Sequence, residues 1–285
     1  MNYKSLLTTK EKVLLLVSKL PWRFKKLCPG YLRELDKICV KIIKQGGIIT
    51  TFHGKLKVEF QGFKYNLRVG STDFLVFDQV ILEKEYQPIV DLVKARNKNF
   101  SKLNIIDAGA NVGFTSLFFS EEFENSIIVS LEPDQNNFIA LNDNISINNK
   151  IGKIIPMQAG IWGKDAEMVL DNTFRDGREW AKSLVEANES SSVDFLIRGY
   201  SLQTILLKTA LEKIDLLKID IEGGEKNLFD EWSLSDEVFK LIKFIAIEIH
   251  DEIADRNFIN KLLISNNFEI IEIGETTFGV NKNLV

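Results

Sequence analysis

Four ionisable residues of this chain stand where two apolar runs end. Asp220 and Glu222 close the run Leu216–Ile221, and Glu248 and His250 close the run Phe244–Ile249. Within each pair the residues are two positions apart, which on a strand turns both side chains to one face. Three carboxylates and an imidazole gathered this way can take a proton from a hydroxyl acceptor, with His250 the first choice for general base. Asp220, Glu248 and His250 could also hold a divalent cation, with Mg2+ favoured by the oxygen-rich set. The plainer alternative has Glu222 and Glu248 capping helices or pairing with Lys218 and Lys226. The other histidine, His53, falls in an expected hairpin turn and is assigned no role.

A second constellation lies upstream. The run Asn104-Ile-Ile-Asp-Ala-Gly-Ala-Asn-Val-Gly113 reads as an apolar strand, a tight turn and the start of a helix over 114–119. Gly109 and Gly113 allow close backbone approach, and the helix start offers free N–H groups to an anion. The dinucleotide fingerprint Gly-x-Gly-x-x-Gly is not met, because Asp107 stands where its first glycine would. A carboxylate there repels a pyrophosphate and welcomes an ammonium group. A ligand bearing both an amino group and a carboxylate, such as the methionyl end of S-adenosylmethionine, suits this turn better. Glu132 ends the next apolar run, 127–131, and a carboxylate at that strand end can accept both hydroxyl hydrogens of a ribose. A lone Gly turn is a weak signal and a lone Glu132 is commonly a surface residue. Together in one strand–helix–strand unit they point to a nucleoside.

These residues need a scaffold. From about Leu103 onward, short apolar runs alternate with helical stretches: 104–108, 127–131, 154–158, 216–221, 244–249, 268–273 and 276–280. Such runs predict an α/β fold, doubly wound around a mostly parallel sheet of seven strands, with an antiparallel C-terminal strand. The polar segment 163–199 reads as an insertion. Ahead of this domain, 48–100 reads as a hairpin, with Leu56, Val58 and Phe60 alternating with charged residues, followed by helical segments. Residues 1–47 read as a helical extension whose stripe of Leu32, Leu35, Ile38, Cys39, Ile42 and Ile43 needs a partner, such as a second subunit.

Composition narrows the class. Of 285 residues 45% are hydrophobic, which suits a sizeable core, and 36 basic against 40 acidic residues give a formal charge of −4. That balance leaves no footprint for nucleic acid, although Arg23, Lys25 and Lys26 cluster locally. The two cysteines, Cys28 and Cys39, fit neither a disulfide framework nor a metal spacing. The longest apolar stretch near the N-terminus, 13–17, is far short of the roughly 20 residues a membrane span needs. A cytoplasmic location is expected by default. Trp162 and Trp180 could stack on an adenine or a sugar ring, though packing is the commoner fate of such residues.

The chain resembles the FkbM-type methyltransferases, a branch of the class I S-adenosylmethionine-dependent enzymes. The resemblance spans roughly 67–251 and rests on motifs in order: Leu67-Arg-Val-Gly-Ser-Thr-Asp73, Ile106-Asp-Ala-Gly-Ala-Asn-Val-Gly113, Leu131-Glu-Pro-Asp134, Leu141-Asn-Asp-Asn-Ile145, Leu217-Lys-Ile-Asp-Ile-Glu-Gly-Gly-Glu225 and Ile247-Glu-Ile-His-Asp251. It implies a Rossmann-like fold and methyl transfer, usually to a hydroxyl of a sugar or natural product. It further implies that Asp107, Gly109, Ala110, Asn111, Gly113 and Glu132 contact the cofactor, with adenine near Gln158 and Ala159. Asp73 and Tyr86, with Gln79 between them, stand where the family has its Asp and Tyr before the cofactor turn, and become candidate lid or cofactor contacts. The family order Thr-Ser-Asp is Ser71-Thr72-Asp73 here. Two rival readings stay in view: a nicotinamide-dependent oxidoreductase, disfavoured by Asp107, and a non-catalytic nucleoside-binding module, for which the four strand-end residues would be superfluous.

Overall fold

The computed structural model describes residues 4, 7–18, 29–52, 55–97, 100, 102–148, 152–171, 183–186 and 196–285. His53, Trp180, Cys28, Arg23, Lys25, Lys26 and the polar stretch 188–192 lie outside the described residues. The chain divides into two compact units, Met1–Glu85 with Ser146–Asn149, and Tyr86–Ile145 with Lys150–Val285. The helical extension and the hairpin therefore fall into one unit. The helix Gln87–Arg96 groups with the second, where its fully buried Ile89, Val90 and Val93 lie near the strand Ile242–Glu248.

In the first unit the helix Gly30–Lys44 buries Leu32, Leu35, Ile38, Cys39 and Ile42, the spacing of one helical face. Gly46, at φ 89°, ends it. Three antiparallel strands follow in order: β1 (Ile48–Phe52), β2 (Lys55–Phe60) and β3 (Phe63–Arg68). Gln61 and Gly62 join β2 to β3 with φ of 50° and 86°, the two left-handed residues of a tight hairpin turn. A short helix, Asp73–Phe77, then runs on into a π-helical turn, Asp78–Leu82.

The second unit is built on a larger sheet. Its strands in chain order are β4 (Asn104–Ala108), β5 (Ile127–Leu131), β6 (Lys153–Met157), β7 (Gly160–Ile161), β8 (Ala166–Asp171), β9 (Ser183–Glu186), β10 (Ile197–Tyr200), β11 (Ile214–Ile219), β12 (Ile242–Glu248), β13 (Phe268–Ile273) and β14 (Thr276–Asn281). Seven of them form one sheet in the order β6-β5-β4-β11-β12-β14-β13. Every strand runs the same way except β14, which is antiparallel to both its neighbours. This is the expected doubly wound α/β sheet, with its antiparallel strand near the C-terminus. The chain winds outward through β4, β5 and β6, then returns to wind the other way through β11 and β12. That reversal leaves a crevice beyond the carboxyl ends of β4 and β11.

The insertion is itself organised. β7, β8, β9 and β10 form a second sheet in the order β7-β10-β8-β9. No helix of the described residues is long and apolar enough to cross a membrane.

Two strand ends differ from the sequence reading. β11 stops at Ile219 and β12 at Glu248. Asp220 and Glu222 are therefore not alternating positions of one strand. Glu222 and Gly223 have φ of 52° and 92°, and the Gly224 amide donates to the Ile221 carbonyl at 3.3 Å. The chain turns sharply at once after the strand, and this turn aims Glu222. His250 likewise lies past the end of β12, where the Ile253 and Ala254 amides both donate to its carbonyl at 2.9 Å.

Gly109 sits where the two halves of the sheet meet. Its φ is +78°, and an added Cβ would run into the Asp220 carbonyl oxygen. Gly109→Ala is expected to destabilise the fold by about 3–5 kcal/mol, combining left-handed strain with overpacking. Gly274 also has a positive φ, of +61°, but open space around it. Gly274→Ala should cost only about 1–2 kcal/mol. Urea unfolding of both variants checks the difference.

Candidate active site

β4 delivers Asp107 and Ala108 to the crevice, and the turn that follows is welded to the end of β5. The Gly109 and Ala110 amides donate to the Leu131 carbonyl at 3.0 and 2.8 Å. Asn111 takes φ 49°, and Gly113, at φ 86°, caps the helix Phe114–Glu122. Glu132 closes the arrangement. Its Oε2 accepts the Asn111 amide at 2.8 Å and its Oε1 the Asp134 amide at 2.9 Å. Burial, reinforced by the nearby Asp134 charge, raises the Glu132 carboxyl to about 7 against the pull of those two amides and Lys218. Each oxygen takes one backbone donor and keeps one acceptor position.

Asp107 has partners within the chain that the sequence reading did not include. Its carboxylate is fully buried, accepts the Ser116 hydroxyl at 2.6 Å and lies 3.2 Å from the Lys218 ammonium. Ser116 in turn shares a 2.7 Å hydrogen bond with Ser130. The ammonium group that Asp107 welcomes is thus one of the chain's own. The carboxylate shapes the turn from beneath.

Lys218 is the residue that sequence reasoning undervalued, since it entered only as a partner for Glu222 or Glu248. It occupies a strand in which all six positions are buried. Its ammonium donates to the Gly109 carbonyl at 2.8 Å and the Ala108 carbonyl at 3.3 Å, and lies 3.5 Å from Asp220 Oδ2. The Tyr86 ring sits 5.8 Å below it. Burial alone would lower the lysine's pKa, but Asp107 and Asp220 drive it upward, so the group is a permanent cation. The available signal was its place: a lysine between Leu217 and Ile219 in a continuous apolar run must have a partner.

On the β11 and β12 side, the structure brings the expected four residues together and adds a fifth. His250 is 1% exposed and lies with Nε2 3.4 Å from Glu222 Oε2 and 3.9 Å from Glu248 Oε1. Its Nδ1 meets Glu225 Oε1 at 3.0 Å, which also accepts the Ile221 amide at 3.2 Å. Glu225 is fully buried, and its Oε2 takes no hydrogen bond. Burial acts to lower the His250 pKa, yet the Glu225 hydrogen bond and the Glu225, Asp220 and Glu222 charges carry it up to about 9. A general base must be deprotonated before it takes a proton, and the raised pKa works against that role for His250. Lys226 pairs with Asp230 at 2.7 Å and Lys218 with Asp107 and Asp220. Glu225 went unnoticed because its position, first in the helix Glu225–Trp232, reads as an ordinary helix-start carboxylate.

The remaining candidates separate. Asp73 is 1% exposed in the first unit, and Arg68 clasps its carboxylate from Nε at 3.0 Å and from a terminal nitrogen at 2.7 Å. Tyr86 is buried edge-on against Phe119 at 5.8 Å, which is the packing alternative. At the end of β6, Gln158 is exposed while Ala159 is buried. Trp162 packs against Met168 and donates its indole N–H to Glu186 at 3.2 Å.

Removing one partner of a buried ion pair costs far more than removing both. Lys218→Met should therefore destabilise the protein by about 3–5 kcal/mol. Adding Asp107→Asn to that variant should restore roughly 1–2 kcal/mol, since the stranded charge goes with it. Denaturant unfolding of the two single variants and the double variant measures the coupling.

Among known proteins the chain resembles, Methyltransferase 1 of Beauveria bassiana (strain ARSEF 2860) is 24% identical over 184 residues, covering 58% of this chain and 72% of that protein. Methyltransferase sdnD of Sordaria araneosa is 23% identical over 194 residues, covering 58% and 73%. Among solved structures, a SAM-dependent methyltransferase from Agrobacterium tumefaciens aligns at TM-score 0.44 and 10% identity over 81% of this chain and 70% of that one. The methyltransferase FkbM domain matches residues 107–272, from the buried aspartate of the cofactor turn to the penultimate position of β13. That match takes in more than half of the sequence, and the chain belongs to the FkbM methyltransferase family.

Proposed function

We propose that this methyltransferase moves a methyl group from S-adenosylmethionine to a hydroxyl of a saccharide or another small polyhydroxylated acceptor. The observation that carries the reading is adjacency. The Asp220 amide donates to the Ala108 carbonyl at 3.1 Å, and Gly109 abuts the Asp220 carbonyl. The turn suited to a nucleoside and the cluster suited to a hydroxyl acceptor thus share one wall of the crevice.

The residues present fit the cofactor. Glu132 offers one remaining acceptor position on each oxygen, matched to the two vicinal hydroxyls of a ribose. S-adenosylmethionine supplies, when bound, a methyl carbon made electrophilic by its sulfonium. The chain must hold an acceptor oxygen in line with that carbon and close to it. As the carbon–oxygen bond forms and the carbon–sulfur bond breaks, the hydroxyl proton has to leave. Glu222 and Glu248, half-buried beside His250, are placed to receive it. The His250 imidazolium holds those carboxylates in place, and Glu225 holds the imidazolium.

Two measurements test this. Ionised Glu132 can accept from both ribose hydroxyls, whereas protonation turns one oxygen into a donor, so affinity for S-adenosylmethionine should fall as pH drops below about 7. The loss approaches tenfold per pH unit once the group is mostly protonated. Calorimetry of Glu132→Gln should give weaker binding with no such pH dependence, and a wild-type affinity flat from pH 5 to 8 would refute the ribose contact. Removing a proton acceptor typically costs about 10²–10⁴-fold in rate. Glu248→Gln should lose turnover on that scale in an acceptor screen read by S-adenosylhomocysteine release, with cofactor affinity within about threefold of wild type. Binding of a nicotinamide dinucleotide in place of S-adenosylmethionine would overturn the assignment.

A further inference from the structure

A polar cavity of about 290 Å3 opens at the other end of the large sheet, lined by Asn97, Lys102, Asn104, Lys213, Asp215 and Lys243. Asn104 begins β4, Lys213 and Asp215 flank the first residue of β11, and Lys243 is the second residue of β12. These three strands are neighbours in the sheet. The cavity therefore lies at their amino ends, roughly 17 Å along β11 from Asp220 and the crevice. Its charge is one-sided, since three lysines against one aspartate leave the lining at +2 in a chain whose total is −4. Asp215 is already engaged: its Oδ2 accepts the Asn104 amide at 2.9 Å, and its Oδ1 lies 3.8 Å from the Lys213 ammonium. Among the described residues, Lys102 and Lys243 make no ion pair with a carboxylate. Lys243 stands 5.7 Å from the centre of the Phe244 ring, a contact that leaves its charge unneutralised.

We propose that this cavity binds a dianionic phosphate ester, at a site separate from the cofactor crevice. Like charges gathered around one cavity repel, and a bound dianion turns that repulsion into attraction. Each ammonium group offers three N–H donors, and a phosphate offers oxygens to several donors at once. The two charges left over after Asp215 is counted match the two of a phosphate monoester. The cavity lies at the small end of the roughly 300–1,000 Å3 usual for ligand pockets, which selects a compact ligand over an extended polyanion. The site does not depend on methyl transfer, because no residue of the crevice lines it.

The probe is inorganic pyrophosphate, titrated into the full chain at low salt and followed by calorimetry. One equivalent per chain is expected. Lys102→Met and Lys243→Met should each weaken binding at least about fivefold, the loss of one charge-assisted contact. Asp215→Asn keeps an oxygen for the Asn104 amide but removes the opposing charge, and should tighten binding by about two- to fivefold. Lys261→Met deletes the same charge from an exposed position outside the cavity and should leave the affinity within about twofold. Saturating S-adenosylhomocysteine should likewise leave it unchanged. Sedimentation with phosphatidylcholine vesicles carrying phosphatidic acid then identifies the source of the ester. A dissolved phosphate is indicated if the chain stays in solution, and a lipid headgroup if it sediments and Lys102→Met does not. Absence of stoichiometric pyrophosphate binding, binding unchanged in both Lys102→Met and Lys243→Met, a loss in Lys261→Met equal to theirs, or displacement by S-adenosylhomocysteine would each overturn the proposal.

Discussion

An ammonium group shut away from water must have its charge and all its donors answered, or it would not stay charged. Lys218 meets that requirement with the Ala108 and Gly109 carbonyls and with Asp107 and Asp220. Each partner belongs to a different piece of the crevice wall. The carbonyls lie at the end of β4 and the start of the turn after it, Asp107 is the penultimate residue of that strand, and Asp220 is the first residue past β11. One buried cation thus ties the two halves of a sheet whose winding reverses between them. The Gly109 backbone can approach Asp220 so closely because glycine carries no Cβ.

The same logic recurs across the crevice with opposite sign. Around His250 it is the carboxylates that are in excess, and the imidazolium is their shared counter-ion. Glu225 fixes the ring from the buried side while Glu222 and Glu248 face the open side. A residue first read as the reacting base lies, in this arrangement, among three carboxylates within 4 Å of its ring nitrogens. Glu132 completes the contrast, with a carboxyl held by two backbone amides and pushed upward by burial.

Much of this was legible in the chain's pattern. The runs at 104–108 and 127–131 coincide with strands because parallel strands are apolar on both faces, and turns bound them sharply; 268–273 coincides as well, as the antiparallel edge strand. The strands around the site were read too far, by two residues to Ile221 and by one to Ile249. Apolarity continues past the last ladder hydrogen bond there, and Ile221 packs onto the core from a turn. Period-two spacing therefore grouped Asp220 with Glu222 for the wrong geometric reason, although both do reach the cluster. Asp107 and Lys218 illustrate the other gap. A motif indicates that a carboxylate is required, but whether it meets a ligand or a lysine 111 positions downstream depends on strand order, which no local pattern encodes. The partners of Asp73 and Tyr86, Arg68 and Phe119, were likewise not part of the sequence reading.

The inserted strands have a consequence of their own. Gly160 pairs with Gly199 and Ile161 with Tyr200, in parallel register. The chain therefore leaves and rejoins the body of the second unit through one two-residue clasp. Whatever is looped out between those anchors is a closed excursion, and lengthening it adds only a slowly growing loop entropy. By that measure a longer excursion leaves the register of the seven-stranded sheet unaltered.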